Sequence, residues 1–358
     1  MSRHDSDKYE GYEAVFDPLK SDRKGRRQRK PKDPRAQHSA SPSAVAADKS
    51  LESLADQQNE FPTTYQPSKY EGPFLLSSLR PFFEQTLITD IYALVKGGKE
   101  ASVYRCQASP ALEMDMIAAK VYRPRMFRSL SNDAMYKEGR AVLTSEGRTV
   151  KNSDQRTMRA LGKKTGFGAQ IAHTSWLMYE FTSLQFLYSI GASVPKPVAS
   201  AENAILMAYI GDEITAAPAL SEVRLDRDEA VAVFKDVINN IELMLRHEMI
   251  HGDLSAYNIL YWNGKATLID FPQVSSLQDN RNARFILARD VERVCAYFER
   301  QGVKTDAEAL MERLWSQYGA DSAGNPGSFA DVSVAEQWQN DREEKEIEDE
   351  EKADKPGA

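Results

Sequence analysis

The stretch HGDLSAYNIL, from His251 to Leu260, limits the possible folds of this chain more than any other feature, together with the aspartate after it. Asp253 lies five residues before Asn258, and Asp270 ends the apolar run KATLID twelve residues further on. Two carboxylates and an amide oxygen, carried by a loop and the next strand, are ligands that Mg²⁺ accepts and shares with phosphates. The spacing favours a phosphotransfer loop. The alternative is an ordinary helix-to-strand turn with a hydrogen-bonded Asp253.

Composition points to one ordered core with polar extensions, because 41% of the 358 residues are apolar and 28% are charged. Residues 1–66 contain a basic run from Lys20 to Arg35, whereas residues 321–358 are acidic, and both segments are poor in core-forming side chains. We therefore predict two disordered tails. The net charge of −7 argues against a protein that coats nucleic acid, but the basic run leaves contact with RNA open, beside the alternative of a solvated linker.

Cysteine usage and hydropathy predict a cytoplasmic protein without a membrane segment. Cys106 and Cys295 are far apart in apolar contexts, which argues against a disulfide framework or a cysteine-based metal site. The sequence contains no run of eighteen apolar residues and no signal-peptide pattern.

Between about residues 69 and 319 the pattern is mixed α/β. Two β-prone runs flank Gly97 and Gly98, and the segments MDMIAAKVYR and NAILMAYIGDE predict further strands. Helical periodicity marks FLLSSLRPFFEQTLI, broken by Pro81, then TSWLMYEFTSLQFLYSI, a long helix before His251, and two helices after residue 280. Residues 123–172 are basic and rich in Ser, Thr and Gly, which predicts a flexible insertion; an ordered basic surface loop is the alternative.

Three signals upstream of the loop occur in a meaningful order. The turn KGGKEASVY allows backbone N–H groups to approach phosphate, although a plain hairpin has the same pattern. Lys120 lies in the apolar strand AAKVY, where it needs a partner or must reach solvent. Glu180 projects from the apolar stripe of its helix, so Lys120 is its natural partner. The order of the four motifs predicts an α/β (α+β) bilobal protein-kinase-like fold: a glycine turn, a lysine on a strand, a glutamate on a helix, and Asp-x4-Asn followed by a further Asp. The small β-rich N-lobe would span residues 67–207 and the helical C-lobe residues 208–320.

From about Leu79 to Gly302 the sequence resembles the RIO family of atypical protein kinases. GGKEASVY is similar to the family's Gly-Lys-Glu-Ala-Asn-Val-Tyr loop, AAKVYR to its Lys strand, and WLMYEFTSLQFLYSIGASVPKP to its Glu helix and Val-Pro-x-Pro turn. HGDLSAYNIL, LIDFPQ and ARDVERVCAYF complete the likeness. The sequence departs from the family pattern at Ser102, Ala208 and Ala256, and its motifs combine features of two branches, so the subfamily stays open.

The resemblance implies ATP and Mg²⁺ as cofactors, with Mn²⁺ as an alternative to Mg²⁺. It implies that Asp253 is the catalytic aspartate, that Asn258 and Asp270 bind metal, and that Lys120 and Glu180 form an ion pair. Met207 would be the gatekeeper and residues 208–210 the hinge. The nucleotide contacts would be Gly97, Gly98, Lys99, Glu100, Ser102, Val103, Lys120, Glu180, Met207, Tyr209 and Ile210.

Several functions agree with these residues. The first is a serine/threonine protein kinase that phosphorylates itself or a protein partner. Ser255 stands where ordinary protein kinases carry a lysine, and no Ala-Pro-Glu segment follows Asp270, which argues against broad peptide-substrate use. The second is an ATPase switch, with an acyl phosphate on Asp270, that acts on a ribosomal-subunit precursor, as the resemblance implies. The third is a small-molecule kinase of the aminoglycoside type, against which the Gly-Lys-Glu-Ala loop argues. A binding module without activity is disfavoured because every catalytic position is filled.

Overall fold

The computed structural model describes residues 61, 63–68, 71–98, 100–123, 140–150, 154–162 and 166–319. The acidic tail, most of the basic tail, Lys99 and residues 124–139 of the predicted insertion lie outside this part of the chain. The described residues form two compact units. The first contains residues up to 123 together with 198–209, and the second contains residues 140–197 and 210–319.

The first unit consists of one helix and a five-stranded sheet in the order β1-β2-β3-β5-β4. The neighbours β1–β2, β2–β3 and β3–β5 are antiparallel. The predicted strands on both sides of the glycine turn are confirmed, as are the strands containing Lys120 and Met207. The elements are α1 (Glu71–Glu84), β1 (Ile88–Gly97), β2 (Ala101–Ala108), β3 (Met116–Tyr122), β4 (Pro197–Ser200) and β5 (Ala204–Ala208).

Helix α1 continues through Pro81, so the prediction that this proline breaks the helix is wrong. Proline removes one backbone hydrogen bond, which would join its nitrogen to the carbonyl of Ser77. The adjacent residues Leu79 and Phe82 are completely buried in the core of the first unit. This burial of apolar surface outweighs the lost hydrogen bond.

Part of the predicted N-terminal tail packs on the first unit. The backbone N–H of Tyr65 donates to the carbonyl of Ile91 at 2.7 Å. The Tyr65 hydroxyl donates to Glu71, which also accepts a 2.6 Å hydrogen bond from the Tyr104 hydroxyl. Tyr65 therefore belongs to the packed unit, ahead of the predicted start at residue 67.

The second unit is helical, with short paired strands beside its helices. The predicted long helix before His251, the strand before Asp270 and the two later helices are confirmed. None of the described helices combines the length and the apolar character needed to cross a bilayer. The elements are α2 (Gln155–Gly162), α3 (Gly166–Ser189), α4 (Arg227–Arg246), β6 (Met249–Ile250), β7 (Ile259–Trp262), β8 (Lys265–Leu268), β9 (Ser275–Ser276), α5 (Ala283–Arg300) and α6 (Ala307–Tyr318).

The second half of the predicted insertion contains secondary structure. Helix α3 begins at Gly166, eight residues before the predicted start at Thr174, and α2 precedes it. Gly168 allows the two helices to approach, because a Cβ atom there would lie 2.0 Å from the carbonyl oxygen of Ala160. A glycine-rich sequence suggests a loop, but here Gly168 serves close helix packing. Whether the insertion is flexible stays a prediction.

Helix α4 carries the chain to the HGDLSAYNIL stretch. The Asp226 side chain caps the helix by accepting a hydrogen bond from the N–H of Glu229 at 2.9 Å. Buried apolar residues then recur every three or four positions to Leu245. After Arg246 the chain turns at Glu248, whose φ of 58° lies in the left-handed region, and enters β6.

Candidate active site

The residues of the predicted phosphotransfer loop lie between two short antiparallel strand pairs of the second unit. Strand β6 pairs with β9, so the segment before His251 is held against the segment that follows Asp270. Strand β7 pairs with β8 from Ile259 opposite Leu268 to Trp262 opposite Lys265. This hairpin returns the chain to the loop, and Asp270 follows two residues after β8.

Asp253 and Asn258 are joined directly. The Asn258 side-chain amide donates to the Asp253 carbonyl at 2.8 Å and to the Asp253 carboxylate at 3.3 Å. The Asn258 carbonyl accepts the N–H of Ile269 at 3.0 Å, which places Asn258 beside the residue before Asp270. Hydrogen bonds therefore link Asp253 to Asn258, and Asn258 to the residue immediately before Asp270.

His251 supports this loop as a neutral imidazole. It is 3% exposed, its Nε2 lies 3.2 Å from the carbonyl of Ile269, and its Nδ1 lies 3.4 Å from the N–H of Asp253. These partners require a proton on Nε2 and an acceptor at Nδ1. Burial lowers the pKa of His251 and outweighs the nearby carboxylates of Asp270 and Asp253, which act in the opposite direction. His251 therefore positions the loop.

Gly252 is held by Asp290, a buried aspartate on α5. The Gly252 N–H donates to Asp290 Oδ2 at 2.8 Å, while the Gly252 carbonyl accepts a hydrogen bond from Arg289. Gly252 has a φ of +84°, and a Cβ atom there would lie 2.1 Å from the carbonyl oxygen of Gln273. The loop thus requires glycine at position 252. Burial raises the pKa of Asp290 to about 7 and outweighs the guanidinium of Arg289, which lies 3.7 Å from Oδ1.

The segment after Asp270 is held by Arg140 from the predicted insertion. Asp270 has a φ of 75°, a strained conformation for a residue other than glycine. Arg140 donates to the carbonyl of Pro272 at 2.8 Å and to that of Val274 at 2.5 Å. Its guanidinium also lies 4.3 Å from the ring centroid of buried Tyr179 on α3. These contacts fix the course of the chain immediately after Asp270.

The Asp253 carboxylate also contacts a cation. Arg293 on α5 places Nη1 2.8 Å from Asp253 Oδ1, and the two side chains are 41% and 38% exposed. An ion pair that is open to solvent contributes little to stability. The ion pair therefore matters for the position of the Arg293 charge, beside the predicted catalytic carboxylate, and not for the stability of the fold.

The glycine turn and the strand lysine lie in the first unit, on neighbouring strands. The Gly98 N–H donates to the carbonyl of Ala101 at 2.9 Å and closes the β1–β2 turn. Val103 on β2 lies opposite Lys120 on β3. The Lys120 side chain is half-buried, and its Nζ lies 5.3 Å from the ring centroid of Tyr122. The first unit thus presents the turn and Lys120 on one sheet.

Glu180 is buried, as its position on the apolar stripe predicted, with 3% of its surface exposed. It belongs to helix α3 of the second unit, whereas Lys120 belongs to the first. The ion pair between them stays a prediction. The other predicted nucleotide contacts divide in the same way: Gly97, Glu100, Ser102, Val103, Met207 and Tyr209 lie in the first unit and Ile210 in the second, while Lys99 is outside the described residues.

The sequence reasoning did not select Asp290, Arg293 and Arg140 as site residues. Asp290 could have been found, because it interrupts the apolar stripe of its helix between Ile286 and Val294, just as Glu180 does. The two arginines contact partners 40 and more than 130 residues away in the chain. Their positions in amphipathic or basic segments give no signal that separates them from solvated arginines.

The donor set of the loop suits magnesium. Among the described residues no group of three or more His, Cys, Asp and Glu side chains forms a metal site. Mg²⁺ needs fewer protein ligands, since it is usually held by one or two carboxylates together with phosphates and waters. Because the Asn258 amide nitrogen donates to Asp253, the amide oxygen is the ligand atom that this side chain offers to a cation.

Comparisons with known proteins identify the family of this chain. The model of the RIO domain matches residues 103–310. The chain is 31% identical over 139 residues to the RIO-type serine/threonine-protein kinase Rio1 of Thermoplasma acidophilum, covering 39% of this chain and 72% of that protein. It is 32% identical over 152 residues to Rio1 of Haloferax volcanii (42% and 51% covered), and 29% identical over 251 residues to RIO1 of Chaetomium thermophilum (67% and 44% covered).

A solved structure supports the fold. The crystal structure of the Rio2 kinase–ADP/Mg²⁺–phosphoaspartate complex from Chaetomium thermophilum matches with a TM-score of 0.50 and 20% identity, over 81% of this chain and 79% of that one. The chain spans about half the length of two of the curated relatives above and about three quarters of the third. The family match includes the strand lysine, the loop and the closing helix, and the chain belongs to the RIO family of atypical protein kinases.

Proposed function

We propose that this chain is a RIO-type serine/threonine kinase that uses Mg²⁺ and ATP to phosphorylate itself or a protein partner. One observation carries the proposal: Asp253, Asn258 and the start of the Asp270 segment are joined by hydrogen bonds in one loop. A proton acceptor and two oxygen ligands for magnesium are the parts that phosphoryl transfer requires.

The two aspartates have different roles in this proposal. Asp253 accepts the proton of the attacking hydroxyl, because it is the first residue of the Asp-x4-Asn pattern, where phosphotransfer loops carry the base, and because it is partly open to solvent. Asp270 and Asn258 hold Mg²⁺, which when bound neutralises charge on the ATP phosphates. The neutral His251 and the buried Asp290 keep the loop in place and take no proton in the reaction.

Nucleotide binding is assigned to residues in both units. Lys120 would direct a positive charge at the phosphates, and Glu180 would orient Lys120. The backbone of the glycine turn would contact phosphate oxygens. The full set proposed for nucleotide binding is Gly97, Gly98, Lys99, Glu100, Ser102, Val103, Lys120, Glu180, Met207, Tyr209 and Ile210.

The physiological setting is a further part of the proposal. We propose a cytoplasmic protein whose partner is a protein substrate or the chain itself, with Mn²⁺ able to replace Mg²⁺. Contact with ribosomal-precursor RNA through Lys20 to Arg35 rests on charge alone, and that run lies outside the described residues.

The test is incubation of the purified full chain with Mg²⁺ and γ-labelled ATP, followed by hydroxylamine. We expect label on serine or threonine that resists hydroxylamine, and no label in Asp253→Asn. Label that hydroxylamine removes would instead indicate an aspartyl phosphate and the ATPase switch. Release of free phosphate without any labelled protein would contradict the kinase proposal.

A further inference from the structure

Arg293 on helix α5 places a positive charge beside Asp253, the carboxylate that is proposed to take the proton of the attacking hydroxyl. Its Nη1 lies 2.8 Å from Asp253 Oδ1, across forty residues of sequence. Both side chains are partly exposed, at 41% and 38%, so this ion pair lies where a substrate can reach it. The contact thus places positive charge beside the proposed reacting atoms.

The phosphotransfer loop itself lacks such a charge. From His251 to Leu260 the sequence contains neither lysine nor arginine, and Ser255 occupies the place where ordinary protein kinases carry a lysine. Negative charge spreads over the oxygens of the transferred phosphoryl group in the transition state, and an arginine supplied by the same chain stabilises that charge in other phosphotransfer enzymes. Besides Lys120 and Mg²⁺, which are assigned to the ATP phosphates, any further cation at the acceptor side of the phosphoryl group must therefore come from outside the loop.

The guanidinium of Arg293 can supply this charge without leaving the site. The guanidinium has five N–H groups that can donate hydrogen bonds, and only its Nη1 contacts Asp253. The substrate hydroxyl that donates a hydrogen bond to Asp253 is also the group whose oxygen bonds to phosphorus. The oxygens of the phosphoryl group therefore come close to a guanidinium that is bonded to the same carboxylate.

We propose that Arg293 is a catalytic residue, which pairs with Asp253 in the free protein and contacts the transferred phosphoryl group during the reaction. This inference rests on the proposed kinase function. The acceptor oxygen bonds to the γ-phosphorus while the bond from that phosphorus to the bridging oxygen breaks. The hydroxyl proton moves to Asp253, the electron pair of the broken bond stays on ADP, and Arg293 remains protonated. Because an exposed ion pair is weak, the small shift of the guanidinium that brings its remaining N–H groups to a phosphate oxygen costs little.

The experiment compares kcat and the KM for ATP in the full chain and in Arg293→Ala, Arg293→Gln and Arg293→Lys. We expect kcat to fall at least about a hundredfold in the alanine and glutamine variants, with KM within about threefold, because the contact is made in the transition state. The Arg293→Lys variant should keep part of the wild-type kcat. Adding millimolar guanidinium to Arg293→Ala should restore part of its kcat, whereas the same concentration of NaCl should not. The matched control is Arg284→Ala on the same helix, which removes an exposed ion pair with Glu312.

Three results would overturn the inference. They are a kcat of Arg293→Ala within about threefold of wild type, a loss that neither lysine nor guanidinium reverses, and an equal loss in Arg284→Ala. The glutamine variant keeps the polar side chain if alanine impairs folding. Failure of the kinase function itself is distinguishable, because the wild-type chain would then show no transfer that Asp253→Asn abolishes.

Discussion

Replacing Asp290 by asparagine should change how stability depends on pH. In the unfolded chain this carboxyl has its ordinary pKa of 3.8, whereas burial in the fold raises the pKa to about 7. Between these values the folded protein keeps a proton that the unfolded chain releases. The stabilisation is therefore fully present below about pH 4 and is lost as pH rises toward about pH 7, since stability falls with pH where the folded state binds more protons.

The difference of about three pKa units corresponds to at most about 4 kcal/mol, at about 1.4 kcal/mol for each unit. The amide introduced by Asp290→Asn cannot ionise, so the free energy of unfolding of wild type relative to this variant should decrease by up to that amount between pH 4 and pH 8. Burying the amide changes the free energy of unfolding by the same amount at every pH, so it does not affect how the difference between the two proteins changes with pH. The opposite effect of His251, whose stabilisation is lost as pH falls below about 6.5, is present in both proteins and also cancels.

Urea unfolding at half-unit steps of pH, followed by tryptophan fluorescence, measures this difference. Three of the four tryptophans, Trp176, Trp262 and Trp315, lie in the second unit, and Trp338 lies outside the described residues. With Trp338→Phe in both proteins, the signal reports the unit that contains Asp290. Asp236→Asn, on the exposed side of α4, separates burial from the loss of one charge. Parallel pH curves for wild type and Asp290→Asn would refute the reasoning.

Three further changes test the site. Gly252→Ala should reduce stability by roughly 2–5 kcal/mol, because its Cβ would clash with Gln273 and its φ is positive; unfolding within about 0.5 kcal/mol of wild type would contradict this. Arg140→Ala should cost roughly 2–4 kcal/mol and speed amide hydrogen exchange at residues 272–276, with Arg140→Lys intermediate, since charged hydrogen bonds and a contact with Tyr179 are lost; unchanged exchange would argue against the clamp. Lys120→Ala should reduce ATP turnover at least about a hundredfold, and Glu180→Gln less; near-normal turnover in Lys120→Ala would remove that strand from the proposed nucleotide site.

The elements that position the site could be predicted where local chemistry decides the structure. The capped periodicity of α4, the alternation around Gly97 and Gly98 and the apolar strand before Asp270 each follow from interactions between residues near in sequence. The order of these elements was enough to predict the kinase-like fold. Glu180 was found because a charge on an apolar stripe needs an explanation, and Asp290 could have been found by the same argument.

The remaining features depend on tertiary packing. Pro81 stays within a helix because its neighbours are buried, and Gly168 lies in a helix because another helix packs against it. Arg140 and Arg293 reach the site from segments that are distant in sequence, so their contacts required the three-dimensional arrangement.

The division of roles between Asp253 and Asp270 is the central claim, and calorimetric titration with a non-hydrolysable ATP analogue tests it most directly. With Mg²⁺ present, Asp253→Asn should bind the analogue with near wild-type affinity, although its ATP turnover falls at least about a hundredfold, the scale of general-base catalysis. Asp270→Asn should lose the increase in affinity that Mg²⁺ gives to the wild-type protein, because its carboxylate is the proposed metal ligand. Equal loss of Mg²⁺-dependent binding in both variants, or retention in both, would contradict the account.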